Sequence, residues 1–140
     1  MSTKQRQLPR ADARRGALYL VFGYEFQGGD AAQFCQHERE WEPERYDDYS
    51  QRIFLTAVEH RAEIDELIGR HTKNWKLTRL SKVSAAVLRV AVCEMLFIDE
   101  IDTPIAINEA VELAKEFEGE EGGAFVNGVL GGIARERENG

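Results

Sequence analysis

The chain predicts an all-α fold, and three observations predict it. Apolar residues recur at three- and four-residue spacing through most of the sequence. No run shows the period-two alternation of a half-buried strand. The periodic segments are punctuated by helix signals, with Pro near starts, Gly after ends, and Asp or Thr where a cap belongs. At 140 residues, and about 100–200 residues per domain, one compact domain or two small packed lobes is expected. A chain of this size buries roughly 70% of its unfolded surface, enough for a real core.

Each element has its own justification. A first helix runs from Pro9 to Gln27 and stops at Gly28-Gly29. A second begins at Asp30, whose carboxylate can cap it with Gln33 closing the box, and reaches about Glu40. Pro43 then opens a long helical stretch to Ile68, with Tyr46, Tyr49, Ile53, Phe54, Ala57, Val58, Ile64, Leu67 and Ile68 on its apolar side. His60 is the place for a bend, and Gly69 the expected end. Val83 to Ile98 is apolar on every side, interrupted by Ser84, Arg89 and Glu94. A membrane span needs about 20 apolar residues, so this shorter run is read as a core helix. Next, Thr103 can cap a helix with Pro104 at its first position, where a missing N–H is harmless. Ala106, Ile107, Ala110, Val111, Ala114 and Phe117 form its apolar face, opposite Asn108, Glu109, Glu112, Lys115 and Glu116. The acidic turn Glu118, Gly119, Glu120, Glu121 leads into a last, glycine-studded helix in which Gly131-Gly132 permits close packing.

The net charge of −7 argues on average against a polyanionic partner, but the charges are segregated. Residues 1–15 hold Lys4, Arg6, Arg10, Arg14 and Arg15 against Asp12 alone, a net of +4, which leaves −11 for the rest. A second basic block comprises Arg70, Lys73, Lys76, Arg79, Lys82 and Arg89, with no acid between Glu66 and Glu94. Residues 94–121 carry ten acids and only Lys115. Nothing points to enzyme chemistry. His37, His60 and His71 are isolated, and Cys35 and His37, two residues apart on a helix, point away from each other. No signal peptide is legible, and Cys35 and Cys93 read as reduced, partly buried thiols of a cytoplasmic protein.

Three segments carry a family resemblance. The run INEAVELAKEF followed by FVNGVL, the central LSKVSAAVLRVAVCEML and the early ARRGALYLVFGYEF resemble, in order, the signature segments of the NusB family of transcription antitermination factors. They cover about two thirds of the chain; residues 28–78 carry no motif. The resemblance implies two small perpendicular helical bundles, about seven helices in all, sharing a buried central helix. It implies a single RNA-binding domain over residues 1–140, with residues 1–8 as a flexible basic tail. The implied function is binding of boxA-type single-stranded RNA together with the small-subunit ribosomal protein NusE, within the transcription elongation complex that makes ribosomal RNA. No cofactor or metal is implied, and no methyltransferase domain is expected beside this stand-alone module.

The candidate site follows from residue chemistry and from the resemblance together. Arginine fixes phosphate oxygens bidentately, and Arg10 and Arg14 lie one turn apart on one helix face, with Arg15 adjacent and Arg6 and Lys4 on the tail. From their places in the family motif, Phe22 and Phe125 are the rings on which bases would stack. Phe125 follows Gly122-Gly123 at an expected helix start, where free N–H groups also favour phosphate. Beside the acidic turn, RNA would be read by backbone and by Asn127 rather than by charge. The family commonly begins its first helix with three or four consecutive arginines; here Ala11, Asp12 and Ala13 interrupt them, which thins the phosphate contacts. The resemblance places the protein partner at Arg79, Lys82, Val83 and Ser84, with Glu94, Glu112 and Glu116 as acids that could suit a basic ribosomal protein. The alternative is a helical adaptor or homodimer of the same fold with weak RNA affinity.

Overall fold

The computed structural model describes residues 7–72 and 80–139 of the chain. Those residues form six α-helices and no strand: α1 (Arg10–Gln27), α2 (Ala31–Trp41), α3 (Asp48–Glu59), α4 (Arg61–Arg70), α5 (Lys82–Phe97) and α6 (Thr103–Asn139). The last is interrupted at Gly119, where φ is 76° and ψ −171°. This region of backbone space is essentially open to glycine alone, so α6 has two arms, and the helical segments come close to the expected seven. Every residue of α5 from Ser84 to Met95 is buried. The helix touches α1, α3, α4 and α6, while α1, α2 and α3 also pack on one another. Two small helical groups therefore share one central helix, as expected.

Local chemistry explains most boundaries and corrects several expectations. At α2 the Asp30 carboxylate accepts the Gln33 backbone N–H, but the reciprocal bond of a box is not formed. The long helix expected from Pro43 to Ile68 is broken twice. Pro43–Arg45 is a single 3-10 turn, and α3 starts later because Asp47 and Ser50 form a full capping box there. The second break is the bend expected at His60, which leaves helical geometry between α3 and α4 (φ −108°, ψ 24°). Gly69 does not end α4, which continues to Arg70. Thr103 is itself the first residue of α6, with the Asp102 carbonyl accepting the Ala106 N–H. Phe117 was expected on the buried face of α6 and instead is 40% exposed, meeting Tyr19 edge-on at 6.3 Å.

Two glycines lie where segments distant in sequence come close. A Cβ on Gly16 of α1 would lie 2.4 Å from the Arg45 carbonyl oxygen, and one on Gly132 2.8 Å from Nδ1 of His71. Gly16 thus lets α1 lie against the Pro43–Arg45 turn. Nearby, the Ser50 hydroxyl donates to the Ala13 carbonyl at 2.8 Å. By contrast, a Cβ on Gly131 would meet only the end of the Arg135 side chain, at 3.5 Å. Gly16→Ala is therefore expected to destabilise by about 1–3 kcal/mol through overpacking against backbone. Gly131→Ala should be neutral or stabilising by up to about 1 kcal/mol, as for alanine replacing glycine within a helix. Urea midpoints of the two variants check the pair, and equal destabilisation would contradict this packing.

Candidate nucleic-acid interface

The basic start of α1 is held in place before the helix begins. The Leu8 N–H donates to Oδ2 of the buried Asp47 at 3.0 Å, tying this segment to the start of α3. The three arginines that follow have three different fates. Arg10 is exposed, and its guanidinium carbon lies 3.7 Å from the centre of the Tyr49 ring. Among the described residues no carboxylate stands within ion-pair distance of it.

Arg14 is turned into the protein and is only 3% exposed. Its Nε donates to both Glu94 oxygens at 2.8 and 2.9 Å, and its Nη1 lies 3.5 Å from Glu109. The Tyr49 hydroxyl donates to the same Glu94 carboxylate. Burial, and then this hydrogen bond, push the Tyr49 phenol well above its ordinary pKa. The expected exposed edge of Arg10 and Arg14 does not exist, because Arg14 neutralises a buried carboxylate on α5. Arg15 points outward but is engaged: Nη2 and Nε reach Glu116 at 2.8 and 3.1 Å, and Nη1 reaches Asp12 at 2.9 Å. The hydrogen bond from Arg15 holds the Glu116 carboxyl below the usual carboxylate range.

The two candidate rings are both half-buried against the core. Phe22 meets Phe26 edge-on at 5.1 Å, and it is Phe26, at 64% exposure, that offers its ring to solvent. Phe125 is not at a helix start. The break is at Gly119, so Phe125 lies more than a turn into the second arm, away from its free N–H groups. It lines a groove of about 340 Å³ with Leu80, Ser81, Ser84, Glu118, Glu121 and Gly122. Asn127 is exposed and lines a different groove, of about 610 Å³, with Asn108, Glu109, Glu112, Lys115 and Glu120 among its walls. Two residues apart on a helix, Phe125 and Asn127 open to different sides.

The candidate partner patch is divided as well. Lys82 is exposed and Val83 half-buried. Ser84 is buried and donates its hydroxyl to Glu118, which also accepts from Ser81 at 2.9 Å. One glutamate at the end of the first arm of α6 thereby ties down the start of α5. Of the acids expected to help, Glu112 and Glu116 are exposed, but Glu94 is 1% exposed and faces Arg14. Arg6 and Arg79 lie outside the described residues. In the second basic block, Arg89 is buried and pairs with Asp65 at 2.8 Å, and Arg70 pairs with Glu136. Both thiols are buried and free, and burial pushes Cys93 up to about 12, so it stays protonated.

The family model described as "NusB family" matches residues 11–135. The chain belongs to the NusB family. The transcription antitermination protein NusB of Finegoldia magna is 33% identical over 136 residues, covering 94% of this chain and 98% of that protein. Among solved structures, NusB from T. maritima is similar with a TM-score of 0.81 and 36% identity, covering 94% of each chain. A second, from a crystal structure of the antitermination factors NusB and NusE in complex with double-stranded RNA, has a TM-score of 0.80 and 28% identity, covering 91% of this chain and 96% of the other. Among the described residues no helix is long and apolar enough to cross a membrane.

The buried Arg14 and the outward Arg15 separate cleanly by experiment. Arg14→Ala leaves a buried carboxylate unpaired and is expected to cost about 3–5 kcal/mol in urea unfolding. Arg15→Ala removes a surface pair worth about 0–1 kcal/mol. That small contribution is present above the ordinary carboxylate pKa and is lost as pH falls through the depressed Glu116 value. Similar costs for the two variants would contradict their placement.

Proposed function

We propose that this NusB-family protein is a transcription antitermination factor that binds boxA-type single-stranded RNA together with NusE. The observation that carries the reading is family membership along almost the whole chain, including a relative whose structure was solved with NusE and RNA. In this reading residues 1–140 form one binding domain working in the cytoplasm as part of the elongation complex, without enzymatic activity. The α1 end supplies the phosphate contacts: Arg10 and Arg15, extended by Lys4 and Arg6 of the preceding segment. Phe22, Phe125 and Asn127 are proposed to meet bases, and Lys82 and Val83, with Arg79, to meet NusE, while the buried Ser84 fixes the start of α5 through Glu118. Arg14 contributes by fixing α1 rather than by touching phosphate. A phosphate would take Arg15 in exchange for Glu116, whereas at Arg10 no carboxylate has to leave.

The test is fluorescence anisotropy with a boxA-like oligonucleotide and a scrambled control, with and without NusE. Preferential binding that tightens on adding NusE is expected. Binding without preference in either condition would leave a helical adaptor or homodimer of the same fold. If Lys4, Arg6, Arg10 and Arg15 neutralise about four phosphates of a single strand, log K should fall with log salt at a slope of about −2.8. Arg10→Ala should flatten that slope by about 0.7, one phosphate's worth. An unchanged slope would remove Arg10 from the site.

A further inference from the structure

We infer that Tyr49 is a positioning residue for RNA binding, the platform that presents the Arg10 guanidinium to a phosphate. The inference rests on the RNA-binding function proposed above and assigns part of it to a residue of α3, outside the arginine-bearing helix. The geometry has three parts. The guanidinium lies over the Tyr49 ring with its carbon 3.7 Å from the ring centre. The ring is half-buried, and its hydroxyl is anchored by donation to Glu94. Glu94 is in turn clamped by Arg14 through both oxygens. The platform is therefore rigid where an exposed arginine is ordinarily not.

The way Arg10 is held decides what it can still do. Stacking uses the face of the guanidinium, whereas its five N–H donors lie in the plane and point outward from the edge. A guanidinium held by its face on an aromatic ring keeps those donors for a phosphate, which it can grip bidentately. One held by carboxylates does not. Arg15 shows the contrast within the same helix, with three of its N–H groups already donated to Glu116 and Asp12. Fixing the Arg10 side chain before RNA arrives also removes part of the ordering cost of binding.

The test separates platform from scaffold by comparing two substitutions of Tyr49 in the full chain with NusE present. Tyr49→Phe loses the hydrogen bond to Glu94 and should lower the urea midpoint, yet it keeps the ring, and RNA affinity should stay within about two-fold of wild type. Tyr49→Leu loses the ring, and affinity for the boxA-like oligonucleotide should fall about five-fold. Repeated on an Arg10→Ala background, Tyr49→Leu should change affinity no further. Arg10→Lys provides an arm that does not depend on refolding the core. It keeps the charge but loses the stacking plane, so the salt slope should hold while affinity falls by about two- to five-fold. The proposal is overturned if Tyr49→Leu binds like Tyr49→Phe, if it weakens binding equally without Arg10, or if Arg10→Lys matches wild type. Failure of wild type to bind the oligonucleotide overturns the RNA reading and this role together, and the wild-type titration alone shows that case.

Discussion

The fold turns on a charge pair that has no access to water. Glu94 sits in the last turn of α5, on a helix buried from Ser84 to Met95, and an isolated carboxylate there would be prohibitively unfavourable. It is tolerated because Arg14 from α1 meets both its oxygens and Tyr49 from α3 donates to one of them. Three helices, α1, α3 and α5, thereby meet at a single point. The pair also sets the rotation of α1. With Arg14 facing the core, Arg10, one turn earlier, must lie over the edge of the same face, where it meets the outer side of Tyr49. Arg15, a further 100° or so around the helix, must face α6 and finds Glu116 there.

Charges that are segregated along the chain are largely paired in space. Arg89 from the second basic block lies against Asp65 and Glu25, and Arg61 joins the same cluster through Glu25 at 2.7 Å. Arg70 and His71 both reach Glu136 near the end of α6. Such contacts between sequence-distant segments bind α4 to α1, α5 and the second arm of α6. They also lower the field that the sequence alone suggests. A block of cations in the sequence is then a poor measure of a cationic surface, and what remains available to a polyanion is decided residue by residue.

Much of the fold was legible because it rests on local signals. The buried, largely apolar helix α5, the stop of α1 at Gly28 and the carboxylate cap of α2 at Asp30 follow from propensity, periodicity and capping, and each is present. The stretch from Pro43 to Ile68 misled because its apolar period continues unbroken through a real interruption. The capping box of Asp47 and Ser50 is a stronger start signal than Pro43, and it competes successfully. Phe117 has the right spacing for a buried face but lies two residues before the Gly119 break, where α6 no longer follows the core. The site was less legible than the fold for a related reason. Spacing placed Arg10 and Arg14 together on one face correctly, but only the position of Glu94 decides that this face is inside at Arg14. A lone glutamate in an apolar helix was the available signal, since it demands a buried cation from elsewhere in the chain.

These placements bear on how an acidic protein of this family would hold RNA. A phosphate arriving at Arg15 replaces a carboxylate already bonded there, so one charge-assisted contact is exchanged for another and little is gained. A phosphate arriving at Arg10 displaces no carboxylate, since the ring beneath keeps its place. The thinned arginine arm is thus thinner still than its sequence suggests, with Arg14 spent inside and Arg15 half-spent outside. Affinity from α1 alone must be modest and strongly salt-dependent. In the proposed function the remaining binding free energy has to come from surfaces away from the arm, which is the physical reason for a second protein on the same RNA. A heterodimer can sum two modest footprints on one strand, because the second contact forms at the effective concentration set by the first.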